Sequence, residues 1–152
     1  MKVFIGADHR GFKLKESLKE HLLSRGVEVG DGGAFSLDPE DDYPDFAYRV
    51  ARAVAKEPGT FGILLCGSGM GMDVVANKVR GIRATVGYSK ESIVHARTND
   101  DINVLTLPAD ALNASQAATL VNLFLATAFD GAERSRRRLA KVEAVEEREF
   151  GA

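Results

Sequence analysis

Residues Phe61 to Leu65 form an apolar run with no period-2 alternation. A strand wetted on one face alternates; a strand covered on both faces does not. This run is what a strand covered on both faces of its sheet is expected to show. Directly behind it stands Cys66-Gly67-Ser68-Gly69-Met70-Gly71, read as a sharp glycine turn that opens a helix. Such a turn lets a ligand approach the backbone and aims unpaired helix N–H groups at it. The chain's only cysteine, Cys66, stands there, where a helix N-terminus favours a thiolate. The competing reading is a packed, inert thiol beside a tight turn. The spacing matches neither a Walker phosphate loop nor a dinucleotide fingerprint.

The same patterning extends along the chain. Val3 to Gly6 reads as a first strand, and Phe12 to Arg25 as a helix with Leu14, Leu18 and Leu22 on one face and Gly26 as its stop. Val27 to Val29 is a second strand, followed by a long polar loop with an acidic cluster, Asp38, Glu40, Asp41 and Asp42. Pro44 suits the first turn of a helix that carries Phe46, Val50, Ala51 and Val54 inward. After the central run come a helix from Met70 to Lys78, a strand from Ile82 to Val86, and a helix capped by Ser89. Asn103 to Leu107 is the fifth strand. Asn113 or Ser115 caps an apolar helix over Ala117 to Phe129, and Glu133 to Phe150 is a charged tail helix. Alternating strands and helices imply a parallel α/β sheet, because each right-handed crossover needs a helix. Ligands in such sheets sit beyond the C-terminal strand ends. The loops read there carry Asp8 and His9, Cys66 to Gly71, and Thr98 to Asn103.

Composition narrows the function classes. The length of 152 residues suits one domain, residues 1–152, with a real core. A net charge of −2 leaves no basic footprint for nucleic acid. A single cysteine fits a reducing compartment, no apolar run is of membrane-span length, and Met1 leads straight into a strand. A cytoplasmic protein with no membrane or nucleic-acid partner is expected.

Several segments together resemble a known family. They are Asp8-His9-Arg10-Gly11, Asp42-Tyr43-Pro44-Asp45, Cys66 to Gly71, Ala76-Asn77-Lys78, Gly81-Ile82-Arg83-Ala84, Arg97 and Asn103-Val104-Leu105. In this order and spacing they resemble the ribose-5-phosphate isomerase B / galactose-6-phosphate isomerase family over nearly the whole chain. The resemblance implies a Rossmann-like three-layer sandwich with a five-stranded parallel sheet and a C-terminal helix. It implies an aldose–ketose isomerase working through a cis-enediolate, with no metal and no cofactor. Cys66 would move the proton between C1 and C2. Ser68 and the N–H groups of Gly67, Gly69, Met70 and Gly71 would hold the enediolate charge. Asp8 would bind sugar hydroxyls or assist ring opening. His9, Arg134 and Arg138 would hold the phosphate, some of them supplied by a partner in a homodimer or dimer of dimers with shared active sites. Tyr43 either stacks on the sugar or merely enters its helix. Without the resemblance, Arg134 and Arg138 read as a solvated helix face.

Two positions depart from the family pattern. Asn99 stands where a ring-opening His is usual, and Asp110 where an Arg near the phosphate is usual. An amide cannot relay a proton near neutral pH, and a carboxylate repels a dianion. Four readings follow: an acyclic substrate such as a tetrose phosphate; His95, one helical turn before Asn99, standing in; a paralogous chain supplying the missing groups; or a protein that only binds its ligand. Val142, Val145 and Phe150 suit the tail helix to an interface, though a helix packed on its own chain would look similar.

Overall fold

A computed structural model describes residues 1–151. In chain order the elements are β1 (Lys2–Ala7), α1 (Phe12–Ser24), β2 (Glu28–Asp31), α2 (Tyr43–Lys56), β3 (Phe61–Cys66), α3 (Met70–Ala76), β4 (Ala84–Val86), α4 (Lys90–Asp100), β5 (Val104–Pro108), α5 (Ala114–Ala126) and α6 (Glu133–Phe150). The five strands are all parallel, in the order β2-β1-β3-β5-β4. The chain moves outward from β1 to β2, then crosses to β3 on the other side of β1. In open parallel sheets such a reversal is where the ligand crevice lies, here at the C-terminal ends of β1 and β3.

The unalternating run is explained by the layers. Ile63 and Leu65 join Val3, Ile5, Leu105 and Leu107 in a core packed by α1, α4 and α5. Leu64 and Cys66 join Val104 in a second core packed by α2 and α3. Each fully buried leucine contributes roughly 2 kcal/mol. A buried charge also belongs to this frame. Lys15 on α1 has no exposed surface and pairs with Asp31 at 3.0 Å and Glu16 at 2.6 Å. Asp31 in turn accepts the Gly33 N–H at 2.9 Å, and the Gly33 carbonyl accepts the Ala7 N–H at 2.7 Å. The ion pair thereby fixes the end of β1, one residue before Asp8.

Element boundaries differ from the sequence reading where side chains cap backbone. Asn113, rather than Ser115, caps α5 through a reciprocal box with Gln116, so that helix starts at Ala114 and ends at Ala126. β4 begins only at Ala84. Asn77, which ends α3 early, donates its amide to the Ala84 carbonyl at 3.1 Å and accepts the Ala84 N–H at 2.9 Å. β4 lies at the edge of the sheet, so the Asn77 amide serves it as a missing neighbour strand. Arg97 is a structural residue. It is buried, donates to the Thr127 and Ile102 carbonyls, and stacks against Phe61 and Phe124.

The third expected loop is misplaced by the sequence reading. α4 runs back against the strands, and Asn103 follows it into the start of β5. Thr98 to Asn103 therefore lies at the N-terminal edge of the sheet, opposite the Cys66 turn. Among the described residues, no helix is long and apolar enough to cross a membrane.

Candidate active site

Two loops supply the chemistry at the crevice, and the segments before α2 and after β5 border it. Extending the β1–β3 register, in which Ala7 faces Leu65, puts Asp8 beside Cys66 on the same side of the sheet. The Asp8 N–H continues that ladder to the Leu65 carbonyl at 3.2 Å. Asp8 is buried, and its Oδ1 accepts the Arg10 and Gly11 N–H groups at 3.0 and 3.1 Å. Gly11 lets α1 pack this closely, since a methyl there would lie 2.6 Å from the Leu65 carbonyl oxygen.

Cys66 ends β3 and is 5% exposed. The Gly69 N–H donates to its sulfur at 3.1 Å, which stabilises negative charge there. Gly69 adopts φ 76°, a left-handed conformation suited to glycine, and leads from the turn into α3. Ser68 is exposed, and its Oγ accepts the Met70 N–H at 3.2 Å. Two expected charge-holding donors, those of Gly69 and Met70, thus already have acceptors. Gly71 sits in the first turn of α3, where N–H groups lack helical partners. The Tyr43 ring lies against it, for a methyl on Gly71 would come within 2.7 Å of that ring. Tyr43 is therefore both the start of α2 and a wall of the mouth.

His9 stands beside this centre. Its Nδ1 lies 2.7 Å from Asp41 Oδ1, and the same oxygen accepts the His9 backbone N–H at 2.9 Å. The bond to Asp41 raises the imidazole above its ordinary titration range, against burial and the charge of Arg10. Asp41 Oδ2 is buried with no partner. In the sequence Asp41 is only part of an acidic loop, and no local spacing joins it to His9. Asp8, His9 and Asp41 offer ligand atoms within 4.8 Å of one another. A metal bound there through His9 Nδ1 would have to displace the bond to Asp41, so the trio is better described as a hydrogen-bonded support for the imidazole.

Asp110 corrects the expectation of a bare negative charge. It follows β5 and is ion-paired with Arg10 across the Cys66 loop. The sequence gives Arg10 no role beyond its place in the Asp8–Gly11 motif.

The remaining candidates lie elsewhere in the chain. Asn99 and His95 sit together on α4, the Asn99 amide donating to the His95 carbonyl at 3.0 Å. Both line a shallow groove with Lys90, Val94 and Leu123, away from Cys66. His95 does not reach the Cys66 crevice of its own chain. Arg134 and Arg138 are exposed on α6 and have no polar partner among the described residues. α6 instead borders a groove of about 640 Å³ beside β4, lined by Leu139, Val142, Val145 and Phe150 with Ala84 and Thr85.

Comparison with known proteins adds an independent line. The model of the Ribose/Galactose Isomerase family matches residues 3–142. Ribose-5-phosphate isomerase B of Mycobacterium leprae is 37% identical over 139 residues, spanning 91% of this chain and 86% of its own. The structure of ribose-5-phosphate isomerase B from Mycoplasma genitalium with bound ribulose 5-phosphate superposes with a TM-score of 0.92 at 39% identity, covering 96% of both chains. The Thermotoga maritima ribose 5-phosphate isomerase gives a TM-score of 0.89 at 41% identity, covering 94% of this chain and 97% of that one.

Proposed function

The chain belongs to the Ribose/Galactose Isomerase family, and from that premise we propose a metal-independent aldose–ketose isomerase acting on a small sugar phosphate through a cis-enediolate. The observation that carries this reading is Cys66 at the crevice, its sulfur under the Gly69 N–H and Asp8 on the neighbouring strand end. The Cys66 thiolate takes the C2 hydrogen of the open-chain aldose as a proton. The C–H electron pair forms the C1–C2 double bond, and the carbonyl π pair moves to O1. Ser68 and the first-turn N–H of Gly71 hold that oxygen. The C2 hydroxyl proton passes to O1 and the thiol returns its proton to C1, so that the C2 oxygen becomes the ketone, O1 the new hydroxyl, and Cys66 a thiolate again. No redox partner enters. Asp8 takes a sugar hydroxyl, His9 binds the phosphate, and Tyr43 lies along the sugar.

Charge balance supports sites shared between copies. At the crevice, two basic side chains, His9 and Arg10, accompany three carboxyl groups, Asp8, Asp41 and Asp110. A phosphate dianion needs further cations. Arg134 and Arg138 supply them when a second copy presents its α6, and half-exposed Val142, Val145 and Phe150 give that copy an apolar seat. Asn99 carries an amide where a ring-opening imidazole is usual, and that amide is tied to the His95 carbonyl of its own helix, away from Cys66. The substrate favoured is therefore one already open, a tetrose or tetrulose phosphate, ahead of the ribose 5-phosphate and ribulose 5-phosphate pair.

The test is exchange of the substrate's C2 proton with deuterated water, followed by NMR. The native protein should exchange it, and Cys66→Ser should not, while still binding the sugar phosphate. Unchanged turnover in Cys66→Ser would remove the thiolate base. Binding by the native protein with no exchange across a panel of sugar phosphates would mark it as a ligand-binding member of the family.

A further inference from the structure

We infer that Arg10 is a substrate-binding residue, receiving the anionic group of the ligand above Gly67, and that Asp110 is the residue that positions its guanidinium. The identity of the ligand as a sugar phosphate rests on the function proposed above; the anion site itself does not.

The strand order makes this pair possible. β3 lies between β1 and β5, so a contact from residue 10 to residue 110 must span the Cys66 loop. It passes directly over Gly67, where a methyl group would stand 2.7 Å from Arg10 Nε and 2.8 Å from Asp110 Oδ2. Both residues are held from below. The Arg10 N–H is fixed on Asp8 Oδ1 at 3.0 Å, and the Asp110 N–H on the Gly67 carbonyl at 3.1 Å.

The pairing mode leaves the guanidinium half free. Nε donates to Asp110 Oδ1 at 3.3 Å and Nη2 donates to Oδ2, so the carboxylate takes the side edge of the fork. The end edge, Nη1 with the outer Nη2 hydrogen, keeps its bidentate geometry for an oxyanion. Arg10 and Asp110 side chains are 57% and 50% exposed, so the pair is open to a ligand. An ion pair this exposed adds little to stability, and stability does not account for its place at the mouth. The Arg10 charge also acts against that of the neighbouring His9 imidazole. Two like charges side by side are relieved by an anion placed between them.

The experiment measures KM and kcat for the sugar phosphate, and the affinity of inorganic phosphate by calorimetry, in Arg10→Ala, Arg10→Lys, Asp110→Asn and Asp110→Glu. Circular dichroism and melting confirm that each variant folds. Arg10→Ala should raise KM and weaken phosphate binding about 10-fold or more, with kcat within about threefold. Arg10→Lys should recover part of the loss. Asp110→Asn should weaken both constants by about two- to fivefold, and Asp110→Glu should hold them near native. Unaltered KM and phosphate affinity in Arg10→Ala would overturn the assignment while leaving the isomerase intact. If the native protein turned over no sugar phosphate, loss of phosphate binding in Arg10→Ala would still support the anion site, and the isomerase reading alone would fall.

Discussion

The amide of Gly69 points at the sulfur of Cys66 from 3.1 Å. The same residue carries a left-handed backbone that packs against β5, where a methyl on Gly69 would meet the Leu107 carbonyl carbon at 3.1 Å. Stabilisation of the sulfur and packing of the sheet thus act through one residue.

Gly69→Ala should therefore lose activity and stability together. The strained φ and the crowding of β5 predict about 1–3 kcal/mol lower stability. Denaturant unfolding and steady-state rates on the same sample check this. Full stability with full activity would show that the turn relaxes freely.

Gly11→Ala tests packing at the start of α1. A methyl 2.6 Å from the Leu65 carbonyl oxygen has no flexible side chain to displace. Roughly 2–4 kcal/mol of destabilisation is expected by thermal or urea unfolding, because α1 must move off β3.

Lys15→Met removes the cation from a buried cluster but leaves Lys19 on Asp31 at 2.8 Å. A loss of roughly 2–3 kcal/mol is expected at pH 7. Burial alone would raise Asp31. Bonds from Lys19, the Gly33 amide and Lys15 outweigh it and set the carboxyl below its ordinary range. That contribution is complete above about pH 4 and is lost as pH falls through the lowered value. Urea midpoints measured from pH 7 down to pH 3 should fall less steeply in Lys15→Met than in the native chain.

The His9–Asp41 bond gives the opposite sign. A raised imidazole binds its proton more tightly folded than unfolded. Its stabilising contribution is complete below about pH 6.5 and is lost as pH rises through the raised value. In Asp41→Asn the NMR titration of His9 should move down toward the ordinary range. An unmoved titration would break the link between these residues.

The layered parallel sheet was legible because the Phe61–Leu65 run has only one comfortable environment, buried on both faces. The Cys66 turn and the Asp8 loop were legible for a related reason: each ends a strand. Thr98 to Asn103 was misread against the alternation itself, since a loop that leads from a helix into a strand of a parallel sheet lies at the N-terminal edge. Asp41 and the Arg10–Asp110 pair were missed as partners because their separations of 32 and 100 residues are closed only by the fold.

The amide of Asn77, hydrogen-bonded to both backbone groups of Ala84, has a consequence for solubility. An unsatisfied outer strand is a template on which another molecule's backbone can add. Here one side chain plugs that template at its first residue, and replacing it with alanine would invite the ordered clumping that short terminal strands in native proteins otherwise resist.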